Sequence, residues 1–269
     1  MKTFITLFTA AATLSVASAQ TLSIKGSDTL GAKLVPQLAE GFKAAGNKGV
    51  KFEIAAEGST TAFPALANGT AQIGMSSRKV KDDERTFCKT KGVFIKEHGI
   101  CYDMLTVIVN KNSPLAKLSK AEVAKIFTGQ IKDWSEIGGA PGKISVYTRN
   151  TSSGTYKDWQ KLAMGGRDYP SSSLKMAGNE QIAQEVAKNK NGIGYVGLAY
   201  SKTAGTKTLV IDGVEPIAAN AKKYAYARLC YLYAPDKPSA EADAFMKYVE
   251  SSAGQDIVRK VGFIPVADL

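Results

Sequence analysis

The sequence predicts an α/β protein, because strand-like and helix-like segments alternate along most of the chain. About eight strand patterns and six helix patterns follow one another without an internal repeat. A chain of 269 residues has room for two lobes of roughly 100–150 residues each. No linker rich in proline, glycine and serine separates them, so we expect strands that run from one lobe into the other. The alternation also predicts mainly parallel sheets.

Short runs of alternating or continuous apolar residues predict the strands. These strands cover residues 21–26, 50–56, 73–75, 102–110, 144–148, 193–199, 208–211 and 227–234. Apolar residues that recur every three or four positions predict the helices, several of which begin at hydroxyl or amide residues. These helices cover residues 30–45, 61–67, 121–129, 154–164, 179–189 and a stretch from 239 that is broken near 251–254.

The composition is that of an ordinary globular protein. Apolar residues make up 44% and charged residues 22% of the chain, which excludes intrinsic disorder. Lysine and arginine exceed aspartate and glutamate by 35 to 24, a formal net charge of +11. The basic residues are scattered and form no run of five, so they do not predict nucleic-acid binding. They can still guide a small anion to a cleft.

The N-terminus has the three-part pattern of a secretory signal peptide. Lys2 is followed by an uncharged apolar segment, residues 4–16, and by the small-residue cleavage site Ala17-Ser18-Ala19. The apolar segment is too short to span a bilayer. We therefore expect residues 1–19 to be removed and the mature chain to be exported, to the periplasm or beyond.

The cysteine and histidine residues predict neither a metal site nor a cofactor. Cys88 and Cys101 flank a short segment and are our expected disulfide pair, while the alternative is three buried thiols that include Cys230. The single histidine, His98, has no cysteine partner at metal-binding spacing. Because it lies outside the three turns described below, we expect no conventional catalytic triad at those turns. Residues 192–197 fit the glycine pattern of dinucleotide-binding sites. That pattern must follow a strand and begin a helix, whereas a helix pattern precedes these residues, so we predict that they form a strand instead of a dinucleotide site.

Three turns share one pattern, in which a strand ends, small hydroxyl residues follow and a helix begins. They cover residues 26–29, 58–61 and 149–155. Helix N-termini present N–H groups and partial positive charge, and ligands of α/β sheets bind where strands end. The three turns could therefore converge on one small oxyanion, whereas the alternative is that the hydroxyl groups only cap helices.

Two arginines follow strands at or beside these turns. Arg149 leads the third turn, and Arg78 closes the segment Ser76-Ser77-Arg78 after another strand. The guanidinium group offers a fixed fork of donors that suits phosphate or sulfate. An oxyanion binder needs no nucleophile or base beyond such donors.

Seven segments, in this order, resemble the PstS-type phosphate-binding proteins, the periplasmic receptors of phosphate ABC importers. The segments are GSDTL (26–30), EGSTTAFPAL (57–66), NGTAQIGMSSR (68–78), YDMLTVIVN (102–110), LSKAEVAKIFTGQIKDWSEIGG (118–139), RNTSSGT (149–155) and NGIGYVGLAY (191–200). The resemblance covers essentially the whole mature chain. It implies a type II periplasmic-binding-protein fold, in which two α/β lobes close on a dehydrated phosphate.

With this resemblance, the expected lobes are residues 20–101 plus about 226–269, and residues about 102–225. In the family, backbone N–H groups and hydroxyls from both lobes hold the anion, and one arginine clamps it. The positions that match are Thr29, Leu30, Ser59, Arg149, Ser153, Gly154 and Thr155.

One position departs from the family pattern. Well-known members have an aspartate where this chain has Ser77, which is followed by Arg78. That aspartate accepts the proton of hydrogen phosphate and so excludes sulfate. Asp28, next to Thr29, is a candidate for the missing acceptor, and Arg78 either adds charge to the site or pairs with an acid.

The expected function is a non-enzymatic, monomeric receptor that binds inorganic phosphate and delivers it to a membrane ABC permease. The alternatives are a binder of another tetrahedral oxyanion such as sulfate or arsenate, and a secreted phosphate-ester hydrolase that uses one of the serines. A surface-displayed or adhesive protein on the same fold is a further alternative.

Overall fold

The computed structural model describes residues 21–269 and has a mixed α/β fold. Its strands are β1 (Thr21–Gly26), β2 (Lys51–Ala55), β3 (Ile73–Ser76), β4 (Ile95–Asn110), β5 (Lys117–Leu118), β6 (Ser145–Arg149), β7 (Leu174–Met176), β8 (Gly192–Gly197), β9 (Thr206–Thr208), β10 (Val210–Ile211), β11 (Ala227–Pro235) and β12 (Ile264–Pro265). Its helices are α1 (Asp28–Gly31), α2 (Leu34–Ala44), α3 (Ser59–Ala67), α4 (Asp82–Thr90), α5 (Lys120–Phe127), α6 (Gly154–Leu162), α7 (Asn179–Lys188), α8 (Ala240–Glu250) and α9 (Ser252–Val261). The predicted signal peptide lies outside the described residues.

One sheet runs through the molecule in the order β2-β1-β3-β11-β4-β8-β6-β7, and β9 and β12 also pair with β4. Its two ends are parallel, as predicted, with β1 between β2 and β3 and with β6 between β7 and β8. Its middle is antiparallel, because β11 returns between β3 and β4 and because β4 runs against β8. A separate two-stranded sheet of β5 and β10 is also parallel. The prediction of mainly parallel sheets is therefore correct for this pair and for the ends of the large sheet, and wrong for its middle.

β4 is the strand that continues from one half of the sheet into the other. Its first part pairs with β11, and its last part pairs with β8 and β9. A strand shared in this way agrees with the expectation that strands, not a flexible linker, join the lobes. The boundaries near residues 102 and 226 stay a prediction.

Two main apolar cores pack against the sheet. One is centred on β1, α2 and α8, where Phe42 packs edge-on against Phe245. The other surrounds α5, α6 and β8, where Trp159 stacks on Tyr195 and packs edge-on against Phe127. The first core also includes Ile182 of α7 and Val196 of β8, so it continues into the half of the sheet that carries the second core.

The expected disulfide between Cys88 and Cys101 is wrong. All three cysteines are buried free thiols in this structure. Cys88 lies on α4, a helix that the sequence analysis did not predict, and its thiol donates to the Phe63 carbonyl at 3.4 Å. Cys101 lies on β4 opposite Cys230 on β11. Nearness along the chain was misleading because strand pairing places a distant cysteine beside Cys101.

No helix within residues 21–269 combines the length and apolar character needed to cross a bilayer.

Candidate functional site

The three predicted turns come together in space. α1, α3 and α6 begin at these turns. The hydroxyl oxygens of Thr29 and Thr155 are 2.9 Å apart. Ser77, at the end of β3, completes the cluster, with its Oγ 3.3 Å from Ser59 Oγ and 3.4 Å from Thr155 Oγ1. All four side chains are buried, so the structure forms one enclosed hydroxyl cluster from four separate segments.

Two glycines permit this close approach. A Cβ on Gly154 would collide with Ser59 Oγ and lie 2.8 Å from Ser77 Oγ. Gly26 ends β1 at a φ of 136°, and a Cβ there would collide with the Met75 carbonyl. Glycine is therefore required where α6 meets the hydroxyl cluster and where β1 turns into α1.

Arg149 is the cation of the site. It ends β6 and is 1% exposed. Its Nε and Nη2 donate to the Ala177 carbonyl at 3.1 and 2.7 Å, and Nη2 is 3.6 Å from Asp28 Oδ1. Its Nη1 is buried and has no hydrogen-bond partner in residues 21–269. An unpaired buried guanidinium nitrogen is costly, so Nη1 is a donor that suits an anionic ligand.

Asp28 lies between Arg149 and the first residue of α7. Burial raises the pKa of Asp28, and Arg149 and Asn179 oppose that shift. Burial also lowers the pKa of Arg149, which Asp28 opposes. The Asn179 backbone N–H donates to Asp28 Oδ1 at 3.2 Å, and its Nδ2 lies 3.4 Å from Thr29 Oγ1. The sequence analysis predicted Asn179 only as the start of a helix.

A buried ion-pair network lies behind the hydroxyl cluster and was missed entirely. Arg228 on β11 donates from Nη2 to Thr155 Oγ1 at 2.8 Å and to Asp103 at 3.0 Å, and from Nη1 to Asp158 at 3.1 Å. Although burial opposes it, the two carboxylates raise the pKa of Arg228. Because Thr155 Oγ1 accepts from a cation, its own proton is available for another acceptor. The one sequence signal was an arginine in an otherwise apolar strand.

Arg78 is held by an acid instead of by the hydroxyl cluster. Its two terminal nitrogens contact the two carboxylate oxygens of Glu84 at 2.8 and 2.5 Å, and Nη1 also donates to the Lys79 carbonyl. Its guanidinium carbon lies 5.8 Å from the centre of the Phe63 ring. The structure thus favours the alternative in which Arg78 pairs with an acid, and the capping carboxylate of α4 is that acid.

The remaining predicted residues have mainly structural contacts. Ser153 caps α6, because its Oγ accepts from the Tyr156 backbone N–H at 3.2 Å. That bond leaves the Ser153 proton available. The Leu30 side chain is fully buried in the first core, so only its backbone N–H can serve a ligand.

The histidine lies elsewhere. His98 Nδ1 is 2.7 Å from Glu250 Oε1. Within residues 21–269, no group of three or more histidine, cysteine, aspartate or glutamate side chains is arranged to hold a metal ion. What the cluster offers is a set of hydroxyl and guanidinium donors beside the N-termini of α3 and α6, an arrangement suited to an oxyanion.

Comparisons with known proteins identify the family of the chain. A family model described as a PBP superfamily domain matches residues 11–253. The phosphate-binding protein PstS of Pseudomonas aeruginosa is 34% identical, over 91% of this chain and 83% of its own length. PstS of Bacillus subtilis is 31% identical, over 92% of this chain and 81% of its own length.

A solved structure is also similar. It is described as a phosphate ABC transporter substrate-binding protein from Clostridium perfringens with bound phosphate. It superposes with a TM-score of 0.84 at 31% identity, and the match covers 92% of this chain and all of that one. The chain therefore belongs to the PBP superfamily and, within it, to the family of PstS-type phosphate-binding proteins.

Proposed function

We propose that this chain is an exported receptor that binds inorganic phosphate between two lobes and delivers it to a membrane ABC importer. The names of its relatives and the phosphate bound to the Clostridium perfringens protein support this function. The observation that carries the proposal is the buried Nη1 of Arg149, which has no partner within residues 21–269, on a guanidinium whose Nη2 lies 3.6 Å from Asp28, the residue next to Thr29 of the hydroxyl cluster.

Donors from both sides of the cluster would hold the anion. Thr29, Ser59 and Ser77 would contribute hydroxyl groups from one side, and Arg149 and Thr155 would clamp it from the other. The backbone N–H groups of Ser59, Gly154 and Thr155, at the starts of α3 and α6, would add to this set. The next N–H groups, of Thr60 and Tyr156, already donate to the Ser152 carbonyl and to Ser153 Oγ. A micromolar site needs about 8 kcal/mol of binding free energy. About five charge-assisted hydrogen bonds, each contributing roughly 1.5–3 kcal/mol, can supply it after desolvation of the anion.

Asp28 is our candidate for the group that accepts the phosphate proton. Its carboxylate is buried beside Thr29, and burial raises the pKa of Asp28, so this carboxylate would be a good acceptor for a phosphate proton. Sulfate carries no proton near neutral pH and would leave that carboxylate facing an anion. If Asp28 does not serve this role, the site would accept sulfate as well, because Ser77 replaces the family aspartate.

Calorimetric titration of the mature chain tests the proposal directly. The protein is freed of ligand by unfolding and refolding, then titrated with phosphate and separately with sulfate at pH 6 and pH 8. We expect tight phosphate binding and no sulfate heat at either pH. Equal binding of the two anions would assign the chain to tetrahedral oxyanions in general, and no binding of either would refute the receptor function.

We further propose that the chain is a monomeric binding protein and not a hydrolase, with residues 1–19 as its signal peptide. The relatives are binding proteins by name. The Ser59 and Ser77 hydroxyls contact each other, and Ser77 also contacts the Thr155 hydroxyl, so the side chains they contact are hydroxyls and not bases. A chromogenic phosphate ester should release no product above the background. Mass spectrometry of the exported chain should show an N-terminus at Gln20.

A further inference from the structure

Cys101 and Cys230 face each other across two strands at the centre of the sheet. Cys101 on β4 and Cys230 on β11 are direct register partners. Both side chains are fully buried and belong to the same apolar core. Directly opposed residues of an antiparallel pair project on the same face of the sheet, so the two thiols are neighbours. Burial and the adjacent Cys230 thiol raise the pKa of Cys101.

The spacing of such a pair suits a disulfide. Opposed residues in antiparallel strands have Cα atoms about 4.5–5.5 Å apart, within the range of about 4.4–6.8 Å that disulfides span. Cys88 has no comparable partner, since its thiol contacts the Phe63 carbonyl on α3. The pairing of strands therefore selects one of the three possible disulfides.

We propose that Cys101 and Cys230 form a disulfide when the exported chain folds, with Cys88 as the remaining thiol. The reaction is thiol–disulfide exchange with a disulfide-bearing oxidoreductase or with glutathione disulfide. One cysteine attacks that disulfide and releases a thiol, and the second cysteine then displaces the other thiol. The two cysteines lose two protons and two electrons, and the oxidant becomes two thiols. Since both thiols are buried in the folded chain, the exchange precedes completion of the core.

The disulfide would join the two strands that carry the ion pair behind the site. Asp103 and Arg228 each lie two residues from one of the cysteines and pair at 3.0 Å. The register of β4 and β11 shifts between Cys230 and Tyr231, where the ladder is irregular. A covalent link at this point would hold the register on which the Arg228 contact with Thr155 depends. This consequence rests on the proposed phosphate function, but the disulfide itself rests only on export and strand pairing.

Thiol counting on the mature chain tests the disulfide without reference to any ligand. The exported protein is purified without reductant, unfolded in guanidinium chloride and reacted with Ellman's reagent. We expect one thiol per chain before reduction and three after it, with a mass increase of about 2 Da. Peptide mapping should link Cys101 to Cys230. Three thiols in the exported protein, or a link that includes Cys88, would overturn the proposal.

Variants separate the disulfide from a general effect of reductant. The disulfide closes a loop of about 130 residues, so reduction should lower the melting temperature of the parent. Cys88→Ser should keep this shift, while Cys101→Ala combined with Cys230→Ala should abolish it. If the double variant does not fold, the thiol count of Cys88→Ser still decides the matter, with none expected before reduction and two after it.

Discussion

Two buried arginines that follow strands meet different surroundings in this molecule. Arg149 ends β6, its Nη1 is buried and has no partner within residues 21–269, and its Nη2 lies 3.6 Å from Asp28 Oδ1. Arg78 follows β3, and both of its terminal nitrogens are bound by Glu84. The same residue type in the same sequence context is thus a candidate ligand clamp in one region and part of a structural ion pair in the other.

The difference shows that the local partner decides what a buried arginine can do. A carboxylate held in bidentate geometry satisfies the guanidinium terminus and leaves little affinity for another anion. Arg149 keeps a terminal nitrogen, Nη1, unpaired within residues 21–269, whereas the unpaired nitrogen of Arg78 is Nε and both its terminal nitrogens are bound. The comparison therefore supports the proposal that Arg149 binds the anion and that Arg78 has a structural role.

The largest expected effect is that of Arg149→Ala on phosphate binding. The variant loses two or more charge-assisted hydrogen bonds, so affinity should fall on the order of 100- to 1000-fold. The fold should survive, because the raised pKa of Asp28 allows the carboxyl left behind to take up a proton. Calorimetry measures the affinity, and near-ultraviolet circular dichroism of the stacked Trp159 and Tyr195 reports the fold. Unchanged affinity would show that the anion binds elsewhere.

The matching change, Arg78→Met, should affect stability instead. It leaves Glu84 largely buried without its cation, and the free energy of unfolding should fall by about 2–3 kcal/mol. Phosphate affinity should stay within about threefold of the parent. Urea unfolding and calorimetry on the same preparation measure both quantities. A tenfold loss of affinity in a variant with parental stability would place Arg78 in the ligand site and end the distinction from Arg149.

Sequence reasoning found the parts of the site that are local in the chain. The turns that contain Thr29, Ser59 and Thr155 were predicted because a strand, a hydroxyl residue and a helix N-terminus follow one another within a few residues. Most strands and most helices were found for the same reason, since each depends on a short apolar pattern. The short strands β5, β7 and β12 and the helix α4 were not predicted. β4 was predicted to start seven residues late, because His98 and Gly99 interrupt its apolar pattern.

Contacts between distant residues could not be found in this way. The Arg228 contact with Thr155 joins residues 73 positions apart, and the contact of Asn179 with Thr29 joins residues 150 apart. Neither residue has a neighbour in sequence that indicates its partner. The cysteine prediction failed for this reason, because the register of β11 against β4 brings Cys230 to Cys101.

The stability of Asp28→Asn relative to the parent, measured as a function of pH, tests how far Arg149 offsets the buried charge of Asp28. The folded-state pKa of Asp28 is raised by burial, so its ionisation disfavours the folded state. The protonated Asp28 carboxyl contributes to the stability of the fold at pH values below its pKa in the unfolded chain. This contribution is lost as the pH rises through its pKa in the folded chain. The stability of Asp28→Asn relative to the parent should therefore increase from pH 3 to pH 7 in urea unfolding. A constant difference would mean that Arg149 fully offsets the burial of the charge.

The smallest effect we expect is that of Ser77→Ala. Its hydroxyl is one donor among several and lies 3.3–3.4 Å from its neighbours Ser59 and Thr155. A neutral hydrogen bond contributes about 0.5–1.5 kcal/mol, so phosphate affinity should fall about three- to tenfold. Ser76→Ala is the matched control, because the Ser76 hydroxyl is also buried but donates to the Arg78 carbonyl at 2.7 Å. If the two variants bind phosphate equally, the hydroxyl cluster does not contact the anion through Ser77, and Arg149 carries more of the binding than we propose.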